Sequence, residues 1–303
     1  MVKRRSLIRN GIEYLLMRAV SRLASSLPER AAYGLALLLG RLVRLVDRRH
    51  LKVARENLAA AYPEMPPEEL RRLVGRVYRH LGLIIIESLR IRKMLTQGLG
   101  KFVSQPDLTE AREALKAGKG LIVVTAHIGN WEIAGHAASI MVTPLHSVAR
   151  PLDNPLLERY VDEMRRLSGQ SILGKRGAVR DMLQVLKDGG AVAILMDQDA
   201  RKHGIFVDFF GRPASTWPTA AALSLRLGCP IVTGFVRRAE HGFRYELIAD
   251  PVLWPQPSAD READIHALTQ KLTSRIEEHI RKCPEQWFWV HRRWKTRPPG
   301  EQG

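Results

Sequence analysis

The sequence predicts an α/β fold, with a largely parallel central sheet flanked by helices and an N-terminal helical region ahead of it. Three observations lead there. Residues 1–93 read as helix after helix with no strand pattern. From residue 118 onward, short apolar runs alternate with helical periodicities. Two of those runs, Leu121 to Ala126 and Ala191 to Met196, are apolar throughout save for Thr125, as strands covered on both faces are. Alternation of this kind belongs to sheets with crossover helices.

Element by element, residues 1–26 and 30–46 read as helices separated by Pro28 and Glu29. A third covers residues 48–62 and stops before Pro63. Pro66-Pro67-Glu68-Glu69 opens a fourth, running to about Lys93, because proline and acidic residues suit a first helical turn. Gly118-Lys119-Gly120 is a turn into the first buried strand. Helices follow over Trp131 to Met141, Asn154 to Ser168, Gly177 to Lys187, Pro218 to Leu227 and Asp260 to Arg281. Weaker strands are expected at Leu145 to Ala149, Ile231 to Val236 and Phe243 to Ile248. The organisation expected is a basic, amphipathic, membrane-associating region over residues 1–46, an α/β domain over 47–297 and a loose tail over 298–303.

The 303 residues carry 48 Lys and Arg against 31 Asp and Glu, a net charge of +17. A surplus of that size favours a polyanionic partner: nucleic acid, an anionic bilayer or an acidic protein. Residues 1–60 hold 13 basic and 4 acidic residues, more than half the surplus. There the charges alternate with apolar stretches such as Tyr14 to Met17 and Ala31 to Gly40. The second of these is too short to span a bilayer, which takes about 20 residues. It reads as a helix lying on a membrane or, alternatively, as a core hairpin with arginine on its wet face. Cys229 and Cys283 form neither a disulfide framework nor a zinc motif, which suits a reducing compartment.

Chemistry is expected at the carboxyl ends of the strands. The first buried strand runs into Ala126-His127-Ile128-Gly129-Asn130-Trp131-Glu132. A histidine there can accept a hydroxyl proton near neutrality, and a carboxylate can steady the imidazolium. His127 is the candidate general base and Glu132 its partner. Gly129 allows a tight turn, Asn130 is placed to cap the next helix, and amides near both are candidates to face an oxyanion. The bland alternative is a loop histidine beside a surface glutamate. The second buried strand ends in Asp197-Gln198-Asp199, followed by an aromatic segment, Phe206 to Pro213, that either lines an oily cleft or fills core. Candidate substrate contacts are therefore Gly129, Asn130, Arg150, Asp197, Gln198, Asp199, Phe209, Gly211 and Thr216. Trp287 to Lys295 holds three tryptophans and four basic side chains, counting His291. That segment suits base stacking, a headgroup layer, or packing back on the sheet.

Sharper motifs are missing. Gly169 to Arg176 resembles a P-loop but carries Arg176 where a magnesium-binding hydroxyl belongs. There is no G-x-S-x-G elbow and no H-E-x-x-H pair.

Taken together, several segments resemble one family, the bacterial lipid A biosynthesis acyltransferases. These late acyltransferases add secondary acyl chains to lipid A precursors, within the wider glycerolipid acyltransferase superfamily. The resemblance is carried by Ala126 to Glu132, Ala149-Arg150-Pro151, Asp197-Gln198-Asp199, Phe206 to Pro213 with Thr216, and Pro284 to Trp287 through Arg292-Arg293-Trp294. Arg55 to Leu58 and Tyr62 to Glu64 look like the family's early helical region. The resemblance implies a glycerolipid acyltransferase-like fold, a His-x4-Glu dyad of His127 and Glu132, and no metal or cofactor. It implies an acyl thioester donor, usually acyl carrier protein and alternatively acyl-CoA, and an anionic glycolipid acceptor. The implied location is the cytoplasmic face of the bacterial inner membrane, held peripherally or by one N-terminal anchor. A mannosylated phosphoinositide is the alternative acceptor. A rival of another class is a basic nucleic-acid-binding protein, which would bind in a salt-sensitive way without needing His127. Thioester hydrolysis would proceed without an acceptor.

Overall fold

A computed structural model describes residues 6–149, 151–174, 177–239 and 242–300. Four helices lead: α1 (Leu7–Ser26), α2 (Glu29–Val46), α3 (Arg48–Ala61) and α4 (Pro67–Gln97). Then come β1 (Val103–Ser104), α5 (Thr109–Lys116), β2 (Leu121–Thr125), α6 (Trp131–Met141), β3 (Leu145–Ala149), α7 (Pro155–Arg166), β4 (Ser171–Gly174), α8 (Ala178–Lys187) and β5 (Ala191–Leu195). The chain ends with β6 (Ile205–Asp208), β7 (Pro213–Thr216), α9 (Thr219–Leu227), β8 (Ile231–Arg238), β9 (Tyr245–Ala249) and α10 (Arg261–Lys282). Among the described residues no helix is long and apolar enough to cross a membrane.

Helix starts follow side-chain chemistry. Asn130 accepts from the amides of Glu132 and Ile133, and Asn154 from those of Leu156 and Leu157, so each satisfies amides that the helix leaves unpaired. Asp260 does the same for Ala263 at the start of α10.

Among the described residues seven strands form one sheet in the order β1-β9-β8-β2-β5-β3-β4. Every pairing is parallel except β8 with β9. The segment expected to be an aromatic loop is instead a separate antiparallel hairpin, β6 with β7. Also unforeseen were α5, whose eight residues are too few for a clear period, and the short strands β1 and β4.

In β2, Ile122 and Val124 face one way, joining Val192 of β5, Met182 and Leu186 of α8 and Leu272 and Ile276 of α10 in the main core. Leu121, Val123 and Thr125 face the other side, under α6, in register with Ala191, Ala193 and Leu195 of β5. The chain leaves β2 for β3 on one side and later returns to β8 on the other. The carboxyl end of β2 therefore lies at a switch point, where crossovers part and open a crevice.

α2 is held on α4 by backbone contact. A β-carbon at Gly40 would stand 2.3 Å from the carbonyl oxygen of Tyr78, and one at Gly82 would stand 2.2 Å from that of Ala36. On the far side of these helices Leu35, Leu38, Leu42, Leu45 and Val46 of α2 are exposed, as are Ile8, Ile12, Leu15, Leu16 and Leu23 of α1.

Candidate active site

β2 and β5 are adjacent and parallel, so their exits lie side by side. That places His127, two residues past β2, against Asp197, two residues past β5. His127 Nδ1 lies 2.8 Å from Asp197 Oδ1. The other carboxylate oxygen accepts the main-chain N–H of His127 at 2.9 Å and the indole N–H of Trp287 at 2.7 Å. Asp197 is thus fully buried yet well satisfied. Burial pushes its pKa up, but the charge and hydrogen bonds of His127, with Trp287, outweigh it and hold the carboxyl down to about 2. On His127, burial opposes protonation most strongly; attraction to Asp197, its hydrogen bond and the charge of Glu132 together leave the imidazole raised above its ordinary value.

Since Nδ1 is taken by a carboxylate, Nε2 is left as the acceptor. Gln198 places its side-chain nitrogen 3.4 Å from Nε2. Trp131 and Phe288 pack their rings around the imidazole, with centroids 4.8 and 5.9 Å away.

The loop beneath His127 is tightly held. Gly129 has φ +59, and a β-carbon there would fall 1.7 Å from the carbonyl oxygen of Val236. Its carbonyl accepts from His80 Nε2 at 3.1 Å, and its N–H donates to the Gln286 carbonyl at 2.9 Å. Asn130, besides capping α6, donates to Glu87 at 2.9 Å. Glu87 is wholly buried and paired with Arg238, whose Nη2 donates to it at 2.8 Å. This network ties α4 and the end of β8 to the loop that carries His127.

Next to that loop lies an apolar cavity with about 980 Å³ of empty space, counting its open mouth. Its floor is the α6-facing side of the sheet: Leu121, Val123, Thr125, Ala193 and Leu195. Its roof is one stripe of α6, running from Trp131 through Ala134, Gly135 and Ala138 to Val142. Small side chains on the roof and Ala193 on the floor leave the space unfilled. Glu132 and Arg165 stand in its lining, paired fork to fork, with Nη2 to Oε1 at 2.9 Å and Nε to Oε2 at 3.3 Å. The charge and hydrogen bonds of Glu132 outweigh burial and raise Arg165 further.

Several expectations need correcting. The carboxylate bonded to His127 is Asp197, whereas Glu132 is bonded to Arg165 and acts on His127 through charge. Asp197 and Glu132 sit on different strand exits, and sequence spacing alone favoured the nearer one. The Gly129 amide is already used by Gln286, and the Asn130 side chain is buried in structural hydrogen bonds. Asp199 is bound by the C-terminal segment, its N–H to His291 and its carboxylate to Thr296. Phe209 is core, stacked among Trp287, Trp294 and Arg293. Thr216 is buried against Arg293, and Gly211 is the exposed turn of the β6–β7 hairpin. None of these lines the cavity, because the hairpin packs on the opposite face of the sheet with α10. Arg150 lies outside the described residues. Trp287 and Trp289 are fully buried, so the aromatic tail packs back onto the fold.

The family model for bacterial lipid A biosynthesis acyltransferases matches residues 2–296. The chain belongs to that family. Like its other members, this acyltransferase transfers acyl groups. It is similar to two proteins of Escherichia coli (strain K12). A lipid A biosynthesis lauroyltransferase is 28% identical over 92% of this chain and 90% of its own. A lipid A biosynthesis palmitoleoyltransferase is 28% identical over 87% of this chain and 84% of its own. A phosphatidylinositol mannoside acyltransferase of Mycolicibacterium smegmatis is 25% identical over 79% of this chain and 78% of its own. Sequence reasoning missed two residues of the acyltransferase's site region. Glu87 interrupts the apolar run Leu83 to Ile86 and could have been noticed; Arg165 looks in sequence like its neighbour Arg166.

Proposed function

We propose that this acyltransferase moves a fatty acyl chain from an acyl thioester to a hydroxyl of a lipid A precursor, with His127 as general base. The observation that carries the reading is an imidazole whose Nδ1 is fixed by a buried carboxylate, whose Nε2 is left as acceptor, and whose ring packs on Trp131, a residue of the apolar cavity's lining. Nε2 takes the proton from the acceptor hydroxyl as its oxygen attacks the thioester carbonyl. The tetrahedral intermediate collapses, the C–S bond breaks, and the thiolate leaves with the proton now on Nε2. Asp197 steadies the imidazolium between those events. No covalent enzyme intermediate is required. Glu132 supports the same charge through space and holds Arg165 in the cavity lining, where a guanidinium favours charge developing on the carbonyl oxygen. Gln198 is placed to donate to the incoming oxygen.

The hydrocarbon tail lies between α6 and the sheet. The net charge of +17 suits a polyanionic donor such as an acidic carrier protein rather than a free fatty acid. The exposed apolar residues of α1 and α2 rest on the cytoplasmic face of the inner membrane, with residues 1–46 as the associating region. The mycobacterial relative's name supports a second reading in which the acceptor is a mannosylated phosphoinositide.

The test is direct. The protein is incubated with radiolabelled acyl carrier protein and a panel of lipid acceptors, and the products are identified by mass spectrometry. Acylated lipid A precursor is expected. Release of free fatty acid without an acceptor would make it a thioesterase, and salt-sensitive nucleic-acid binding without transfer would remove the enzymatic reading.

A further inference from the structure

We infer that a cationic cleft between α1 and α4 binds the phosphate of an anionic membrane lipid, at a site separate from the catalytic cavity. The inference rests on the proposal that α1 and α2 lie on a bilayer.

The cleft has about 920 Å³ of empty space, counting the open solvent at its mouth, and is walled by Arg18 and Arg22 from α1 and Arg92 and Lys93 from α4. The rest of its wall is hydroxylic: Ser21, Ser25, Thr96 and Tyr160. Among the described residues no carboxylate lines it. Among the described residues neither Arg22 nor Arg92 has an ion-pair partner. Arg18 donates to the Tyr14 hydroxyl at 2.9 Å and feels the charge of Glu163, and Lys93 is engaged by Ser25, which leaves Arg22 and Arg92 as the pair suited to an anion supplied from outside.

The cleft is fixed in shape. The Ser21 hydroxyl donates to the Leu89 carbonyl at 2.7 Å and lies 3.2 Å from the Tyr160 hydroxyl. Lys93 donates to the Ser25 carbonyl at 2.7 Å. These bonds clamp α1 to α4 and hold the cations around the opening. Lys93 serves a terminal carbonyl of α1, but neither α1 nor α4 has a basic residue of its own in its last turn, so capping does not account for Arg22 and Arg92.

Position identifies the ligand as a lipid. At 3.6 residues per turn, Ile8, Ile12, Leu15, Ala19 and Leu23 share the outward face of α1. Arg18 and Arg22 fall three and seven positions beyond Leu15, on the edge of that face. With the apolar face in the acyl boundary, the cleft opens at headgroup depth, where a phosphate can be gripped by two guanidinium forks.

The test uses the full-length protein and vesicles of phosphatidylcholine with or without phosphatidylglycerol. Arg22→Gln/Arg92→Gln is compared with Arg48→Gln/Arg49→Gln, which removes equal charge from the same region outside the cleft. All four arginines are exposed, so both variants should unfold at the wild-type temperature. The cleft variant is expected to bind phosphatidylglycerol vesicles at least tenfold more weakly than the control variant, and phosphatidylcholine vesicles equally. Equal losses in the two variants would overturn the inference in favour of diffuse charge, and so would no loss in either. Inorganic phosphate raising the melting temperature of wild type but not of the cleft variant, with wild type showing no preference for phosphatidylglycerol vesicles, would assign the cleft to free phosphate and also overturn it. If wild type bound no vesicle at all, the bilayer reading itself would fall. Acyl transfer in detergent solution, which needs no vesicle, tests the proposed catalysis independently.

Discussion

Asp197 holds His127 at two points, its side chain at 2.8 Å and its main chain at 2.9 Å. One buried carboxylate thus sets both the ring's tautomer and the path of the loop that carries it. Removing the charge while keeping the shape should leave the fold intact and disable the base. Asp197→Asn is expected to lower kcat by up to about 10⁴-fold, the drop found when a catalytic histidine's orienting carboxylate is neutralised in the serine-protease triad. Near-normal transfer by the folded variant would rule out this role.

The same pair sets a pH dependence. The base must be neutral to act, and its pKa is raised, so kcat/KM should climb with pH to an inflection above the ordinary histidine value of about 6.5. Asp197→Asn should move that inflection downward. The stability contributions have opposite windows. The depressed Asp197 stabilises above about 3.9 and loses that contribution as pH falls through about 2. The raised His127 contributes fully below about 6.5 and loses it as pH rises through its folded value. A pH–rate profile of wild type and variant, with melting curves at matched pH, checks both signs.

Glu132 and Arg165 are predicted to act as a unit. Glu132→Ala and Arg165→Ala should each reduce transfer about 10²-fold or more, and the double variant should lose much less than the product of the two. Rates that multiply would mean the residues work separately.

How far the sequence revealed this site depends on distance along the chain. His127, the buried strands and the Asn130 cap were legible because each is a local pattern: a polar residue ending an apolar run, or a cap before a helical period. The partnership with Asp197 was not, because it arises only when β5 pairs with β2, 70 residues away. Periodicity names the strands without their order. Phe209 and Thr216 were read as cleft residues for the same reason: an aromatic segment after a strand tip looks alike whether it turns toward the cavity or, as here, packs beneath α10.

The cavity's dimensions should govern chain length. Ala138 lies in the α6 stripe seven positions beyond Trp131, about 10 Å along the helix axis. Ala138→Leu is expected to shift donor preference toward shorter acyl chains, read from kcat/KM across a series of acyl carrier protein thioesters. An unchanged profile would place the tail elsewhere.

Gly129→Ala should fail for a backbone reason. A β-carbon 1.7 Å from the Val236 oxygen cannot be accommodated, and φ +59 is costly for alanine. The melting temperature should fall by several degrees, with activity lost. A variant as stable and active as wild type would show the loop to be placed differently.

The central claim is that His127 is the base, and single-turnover transfer by His127→Ala tests it most directly. Acyl carrier protein thioester and lipid A precursor would be supplied to variant protein whose circular dichroism and melting temperature match wild type. The account predicts a rate lower by at least about 10³-fold with donor binding retained. Transfer at the wild-type rate by that folded variant would contradict it.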